Sequence, residues 1–186
     1  MKFNDLWRRL VTREGGDRQL SFESRRVMIA NTPYVLRQAT IDDAATLVEI
    51  ERIIYGKAPW NEAAFISDIK RSDRLYVVMQ TALGRIVALV GLSLHPRTGD
   101  GHITNIAVSP SYQGRGMGTF LMRAMIAVAL AHGMKSVSLE VRIENQGAQR
   151  LYHRLGFSIY QQKHHYYFPD GGDAYEMKMK LTRMGE

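Results

Sequence analysis

The chain's apolar patterning predicts an α/β domain, a mixed sheet with helices on both faces. Three observations carry the prediction. Short runs rich in Val, Ile, Leu and Tyr stand at residues 34–36, 74–81 and 85–94, as strands do. Other segments carry apolar residues at helical spacing, as at Leu121, Ala124, Met125 and Val128. Glycine and Asn/Asp clusters punctuate the boundaries between the two kinds of segment. In order the elements read β-α-α-β-β-β-α-β-α-β-β, which suits layers packed around one core.

Each element has its own signal. Phe3, Leu6, Trp7, Leu10 and Val11 recur at helical spacing among Arg8, Arg9 and Arg13, a short basic amphipathic helix. Gly15-Gly16-Asp17 ends it, and the polar stretch through Ser24 reads as linker, so residues 1–30 form an N-terminal extension and 31–186 the domain. That helix could dock on a membrane or a partner, or pack on its own domain. Residues 34–36 read as a strand. Thr40 opens a helix with capping-box spacing to Asp43 and an apolar stripe of Ile41, Ala44, Ala45 and Val48. Asn61 caps a second helix, with Trp60 and Phe65 placed as a hydrophobic staple. A hairpin turns at Leu83-Gly84, and residues 102–108 form the next strand. The helix after Gly118 stops at Gly133. Residues 135–142 are a strand, 146–155 a helix stopped by Gly156, and the remainder two strands around Pro169-Asp170-Gly171-Gly172.

Composition narrows the classes. The 186 residues are 45% hydrophobic and 23% charged, ordinary for a globular protein. No run approaches the roughly 20 apolar residues that span a bilayer. The absence of cysteine excludes disulfides, thiolate-bound zinc, iron–sulfur clusters and a thiol nucleophile. No signal-peptide core is present, and Asp5, Glu14, Asp17 and Glu23 argue against a transit peptide, so a cytoplasmic location is expected. The six histidines form no metal pattern, and His164-His165 would diverge on a strand; no metal is expected. The net charge of +7 is uneven, since residues 1–40 carry eight Lys/Arg against four Asp/Glu. Such an excess can steer an anionic partner or simply aid solubility. No aromatics interleave with Lys/Arg as single-strand binding requires, so direct nucleic-acid binding is not expected.

The glycine turn is the sharpest feature. A strand, then Gln113-Gly114-Arg115-Gly116-Met117-Gly118-Thr119, then a helix N-terminus makes an anion site of inward-pointing N–H groups. A P-loop needs Lys-Ser/Thr after its last glycine, but Thr119-Phe120 stands there; a dinucleotide fingerprint begun at Gly114 would end on Thr119 rather than glycine. What fits is Gln-x-x-Gly-x-Gly at Gln113, Gly116 and Gly118. With Asn105-Ile106-Ala107-Val108-Ser109-Pro110 before it and Leu139-Glu140-Val141-Arg142, Asn145, Leu151-Tyr152 and Leu155-Gly156-Phe157 after it, the chain resembles the GNAT N-acetyltransferases. Ala58-Pro59-Trp60 and Tyr166-Tyr167 make the RimI-type branch the nearest likeness, over about residues 33–181. The resemblance implies a GNAT fold, a mixed and mostly antiparallel sheet of about seven strands. It also implies acetyl-CoA as co-substrate and, as acceptor, the N-terminal alanine of small-subunit ribosomal protein eighteen.

It further assigns roles beside plainer readings. Glu140 becomes the general base; by strand alternation it sits with Ser136 and Ser138 on a polar face, where a lone carboxylate is more often merely solvated. Tyr152 becomes the general acid, although its stripe with Ala148, Leu151 and Leu155 is equally that of a core aromatic. Asn145 would contact the coenzyme arm as well as cap its helix. Ile106, Ala107 and Val108 would offer backbone groups to pantetheine, while Gln113, Gly114, Arg115, Gly116, Met117, Gly118 and Thr119 cradle the phosphates. Tyr55, Trp60, Tyr166 and Tyr167 would line the acceptor channel, or serve only packing. Glu144 stands where a small polar residue is usual, and Gly114 where a basic one is common. The leading expectation is acetyl transfer to a protein N-terminal amine by direct attack in a ternary complex. Alternatives are another N-terminus, a lysine or a small amine as acceptor, or a non-catalytic coenzyme-binding or ribosome-docking module. The expected assembly is a monomer or weak dimer.

Overall fold

A computed structural model describes residues 20–56 and 58–182. The helix expected at 3–11 lies outside the described residues. Eight strands form one sheet: β1 (Arg25–Ile29), β2 (Thr32–Gln38), β3 (Arg74–Thr81), β4 (Ile86–His95), β5 (Asp100–Val108), β6 (Ser136–Arg142), β7 (Ser158–Tyr167) and β8 (Gly172–Lys180). Their spatial order is β1-β2-β3-β4-β5-β6-β8-β7, and β5–β6 is the parallel pair in an otherwise antiparallel sheet. A parallel pair requires a crossover, supplied here by α3 (Met117–Ala131). Helices α1 (Ala44–Tyr55) and α2 (Glu62–Ile69) precede β3, and α4 (Gln146–Leu155) follows β6.

Strand alternation feeds a core on each face. Leu75, Val77 and Met79 of β3 join Leu121, Met122, Met125 and Val128 of α3 in the larger core. Tyr76 and Val78 point the other way, toward Leu47 and Ile50 of α1 and Phe65 of α2. The helix signals hold locally: Asn61 Oδ1 accepts from Ala64 N at 2.9 Å, and the Trp60 and Phe65 rings lie 5.4 Å apart. Asn145 Oδ1 accepts from Ala148 N at 3.0 Å, and Gly156 closes α4 at φ 98°.

Four expectations are corrected. The stripe of α1 is Ala44, Leu47 and Ile50, whereas Ile41 and Ala45 are exposed. A 3-10 turn at Ile41–Asp43 comes first, its Asp43 accepting from Thr40 N at 2.8 Å, and the helix starts only at Ala44. The polar stretch before residue 30 is not all linker, because Leu20 and Phe22 are buried in the larger core and β1 pairs with β2. The sheet accordingly has eight strands rather than about seven.

Candidate active site

The site is built where β5 and β6 part. Their parallel ladder runs from Asp100↔Ser136 to Ile103↔Leu139 and ends there. A bulge opposite Gly91/Leu92 turns β5 at this point. Beyond it, Ile106, Ala107 and Val108 pair on one side with Val90, Leu89 and Ala88, leaving their β6-facing edge outside the ladder. Such an edge presents backbone donors and acceptors to an extended ligand.

At the far end of β5 the chain turns through Gly114 and Gly116, at φ 74° and 88°, into α3. These left-handed conformations are strained for other residues, and an added Cβ would meet nothing within 4 Å at either position. This open turn before a helix of fifteen residues therefore fits a pyrophosphate. Gln113 Nε2 donates to Val108 O at 2.9 Å, tying the turn to the open strand. Arg115 lies over Tyr112 and donates to Ser111 O at 2.9 Å. Met117 buries its side chain in the core, which leaves its main chain for the turn, and Thr119 follows on the first turn of α3. Asn145 is occupied as the α4 cap.

Glu140 sits one residue past the parting. Its face of β6 is polar but not solvated: Ser136 and Ser138 are buried and both donate to Asp100. His102 of β5 joins this line, with Nδ1 3.0 Å from Ser138 Oγ and Nε2 3.1 Å from Glu140 Oε2. Lys163 of β7 donates to Glu140 Oε1 at 2.6 Å and lies 2.9 Å from Glu176 Oε2. Burial opposes charge on Glu140, but hydrogen bonds and charge from His102 and Lys163 outweigh it and bring the carboxyl down to about 2. Opposing burial likewise loses for Lys163, whose two carboxylate partners hold its pKa above the ordinary lysine value.

Tyr152 is 6% exposed on α4, its ring 6.1 Å from that of Phe157. Burial, reinforced by Tyr55 and Tyr167, raises its pKa, so the phenol keeps its proton. Tyr55, Tyr152 and Tyr167 thus form one group, and Tyr166 packs edge-on against Tyr167 at 5.1 Å and faces Glu140. Trp60 instead turns to Phe65 and the smaller core. Arg142 stacks 4.2 Å over Tyr167 and pairs with Asp170 at 2.9 Å, fastening the β7–β8 turn to β6. Behind the wall formed by α1, Glu51 is buried with its Oε1 on Asn105 Nδ2 at 2.8 Å, and Asn105 Oδ1 accepts from Tyr76 at 3.1 Å.

Sequence reasoning missed His102, Lys163 and Glu176. Alternation along β5 and β6 can suggest a shared face, but only the pairing of His102 with Ser138 and of Glu140 with Glu176 brings these groups together. Among the described residues no group of His, Asp and Glu is arranged to hold a metal ion, and no helix is long and apolar enough to cross a membrane.

The fold thus offers an open strand edge, a glycine turn at a helix start and, one residue past the parting, a charged carboxylate. The chain belongs to the acetyltransferase (GNAT) family, which residues 44–157 match. It is an N-acetyltransferase, and members of its family use acetyl-CoA. RimI of Mycobacterium tuberculosis, an N-alpha-acetyltransferase, is 35% identical over 155 residues, covering 81% of this chain and 96% of that one. A putative ribosomal protein bS18-alanine N-acetyltransferase of Bacillus subtilis is 27% identical over 151 residues, covering 81% and 98%. The solved ribosomal-protein-S18-alanine N-acetyltransferase of Escherichia coli superposes with a TM-score of 0.72 at 27% identity, covering 82% of this chain and 97% of that one.

Proposed function

We propose that this enzyme acetylates the N-terminal α-amine of a protein from acetyl-CoA, with the N-terminal alanine of ribosomal protein bS18 as its acceptor. The observation that carries the reading is Glu140 set just past the parting of β5 and β6, with Tyr166 and Tyr167 beside it. The names of the M. tuberculosis, B. subtilis and E. coli relatives support the α-amine and the alanine. Acetyl-CoA would supply the acyl thioester, its pantetheine arm along Ile106, Ala107 and Val108 and its pyrophosphate at the Gly114–Gly118 turn.

The residues divide the work. A carboxyl near 2 is too weak a base to strip an ammonium. An α-amine of pKa ~8, however, is already about a tenth neutral at pH 7. Glu140 and His102 therefore orient a neutral amine and take up its proton as nitrogen becomes acidic on bonding to carbon. Tyr152, kept protonated by burial, donates to the departing sulfur. Without cysteine in the chain, direct attack needs no thiol intermediate. Tyr55, Tyr166 and Tyr167 form the acceptor wall, and the N-terminal extension bears on larger acceptors rather than on chemistry.

The test offers acetyl-CoA with peptides carrying different N-terminal residues, an internal lysine peptide and free amines, products being weighed by mass spectrometry. Acetylation of the alanyl α-amine should dominate. Preference for lysine or a free amine would overturn the reading.

A further inference from the structure

Both oxygens of Glu140 are engaged before any acceptor arrives, Oε1 by Lys163 Nζ at 2.6 Å and Oε2 by His102 Nε2 at 3.1 Å. Glu140 and Glu176 face each other in register on β6 and β8. Like charges so placed repel, and Lys163 reaches across from β7 to both, 2.9 Å from Glu176. Among the described residues, the groups facing Glu140 are His102 from β5, Lys163 and Tyr166 from β7, and Glu176 from β8. Lys163 is the one ammonium among them.

A protonated acceptor is also an ammonium. Two adjacent carboxylates would draw one in, but that place is filled by the protein's own. We infer that Lys163 is a specificity-determining residue: an internal ammonium that occupies the cation site of Glu140 and Glu176 and so admits the acceptor amine only in its neutral form. The inference rests on the α-amine reading above and explains how it is enforced. At pH 7 an α-amine is about a tenth neutral, whereas a lysine amine of pKa ~10.4 is neutral in only about four molecules per ten thousand. Excluding the ammonium form therefore selects α-amines by basicity alone.

The test measures binding by calorimetry with CoA present, using an alanyl peptide and 1,4-diaminobutane, at pH about 6.5 and about 8.5, with turnover followed in parallel. In the wild type, both acceptors should bind more tightly as pH rises, the peptide far better. Lys163→Met should bind the diamine about tenfold or more tightly at the lower pH, with its pH dependence flattened. Lys163→Arg keeps a cation in place and should retain the wild-type preference between the two acceptors. Lys163→Met combined with Glu176→Gln removes the charge pair along with the cation, so it remains folded if the repulsion alone is disruptive, and diamine affinity should fall back. A folded Lys163→Met that alters both acceptors equally, or leaves their ratio unchanged, overturns the inference while the α-amine reading stands. A wild type that favours the diamine overturns both.

Discussion

The middle of the sheet and its β7 edge are held by different physics. In β3 and β4, Val77, Val78, Leu89 and Val90 are wholly buried, with helices packed over both faces. In β7 most residues are exposed, and the strand is tied to its neighbours by Lys163 on Glu140 and Glu176, Gln161 on Glu176, and Gln162 and His164 on Asp173. Apolar burial is non-directional and sets stability; charged contacts are directional and set geometry and ionisation. The middle strands are therefore scaffold, and the β7 side that reaches over Glu140 is tuned.

The largest expected effect breaks the scaffold at its least obvious strand. A chain starting at Leu20 should fold, while one starting at Asn31 loses β1 together with buried Leu20, Phe22 and Ile29. Each such side chain stabilises by about 1.5–3 kcal/mol, so denaturant titration should show a loss of several kcal/mol or outright aggregation. Equal stability of the two truncations would mean that β1 is dispensable.

On the tuned end, Glu140→Gln should lower turnover by about 10²–10⁴-fold with CoA affinity intact by calorimetry. The same group sets an acid limit. Its folded pKa of about 2 lies below the ordinary 4.5, so its contribution to stability is full above about 4.5 and is lost as pH falls toward 2. Acid titration of wild type and Glu140→Gln should converge over that window; parallel curves would deny Glu140 its coupling to His102 and Lys163.

Tyr152→Phe keeps the ring against Phe157 and removes the hydroxyl. Turnover should drop about tenfold to a hundredfold with the melting temperature nearly unchanged, and unaltered turnover would leave Tyr152 a core aromatic. The smallest effect belongs to Asp170→Asn, which frees Arg142 from the exposed β7–β8 turn. Stability should barely move, as for most exposed ion pairs, while KM for the alanyl peptide rises and kcat holds.

Legibility followed the same division. Helix 146–155 could be read to the residue because Asn145 and Gly156 mark its ends through local chemistry. The β3–β4 hairpin announced itself by two apolar runs about a glycine turn. By contrast β1 hid, since its two-residue turn is Ala30-Asn31, both at positive φ, without the glycine that usually betrays such a turn. Its Met28 is also exposed, and Leu20 and Phe22 lie among polar neighbours. At the site, Glu140, Tyr152 and the glycines were legible as a motif. His102 and Lys163 were not, because their roles exist only through strand register, and β7 reaches its register across irregularities between Ile159 and Gln161 and between Lys163 and Tyr167.

Those irregularities also shape the open edge of the sheet. An open sheet ends in two strands with an unpaired side, here β1 and β7, and a flat unpaired strand invites another copy to add on. In β7 the ladder breaks twice and His165 adopts φ 51°, so no long straight template is presented. The bends around Lys163 and Tyr166 therefore also blunt this edge as a template for strand addition.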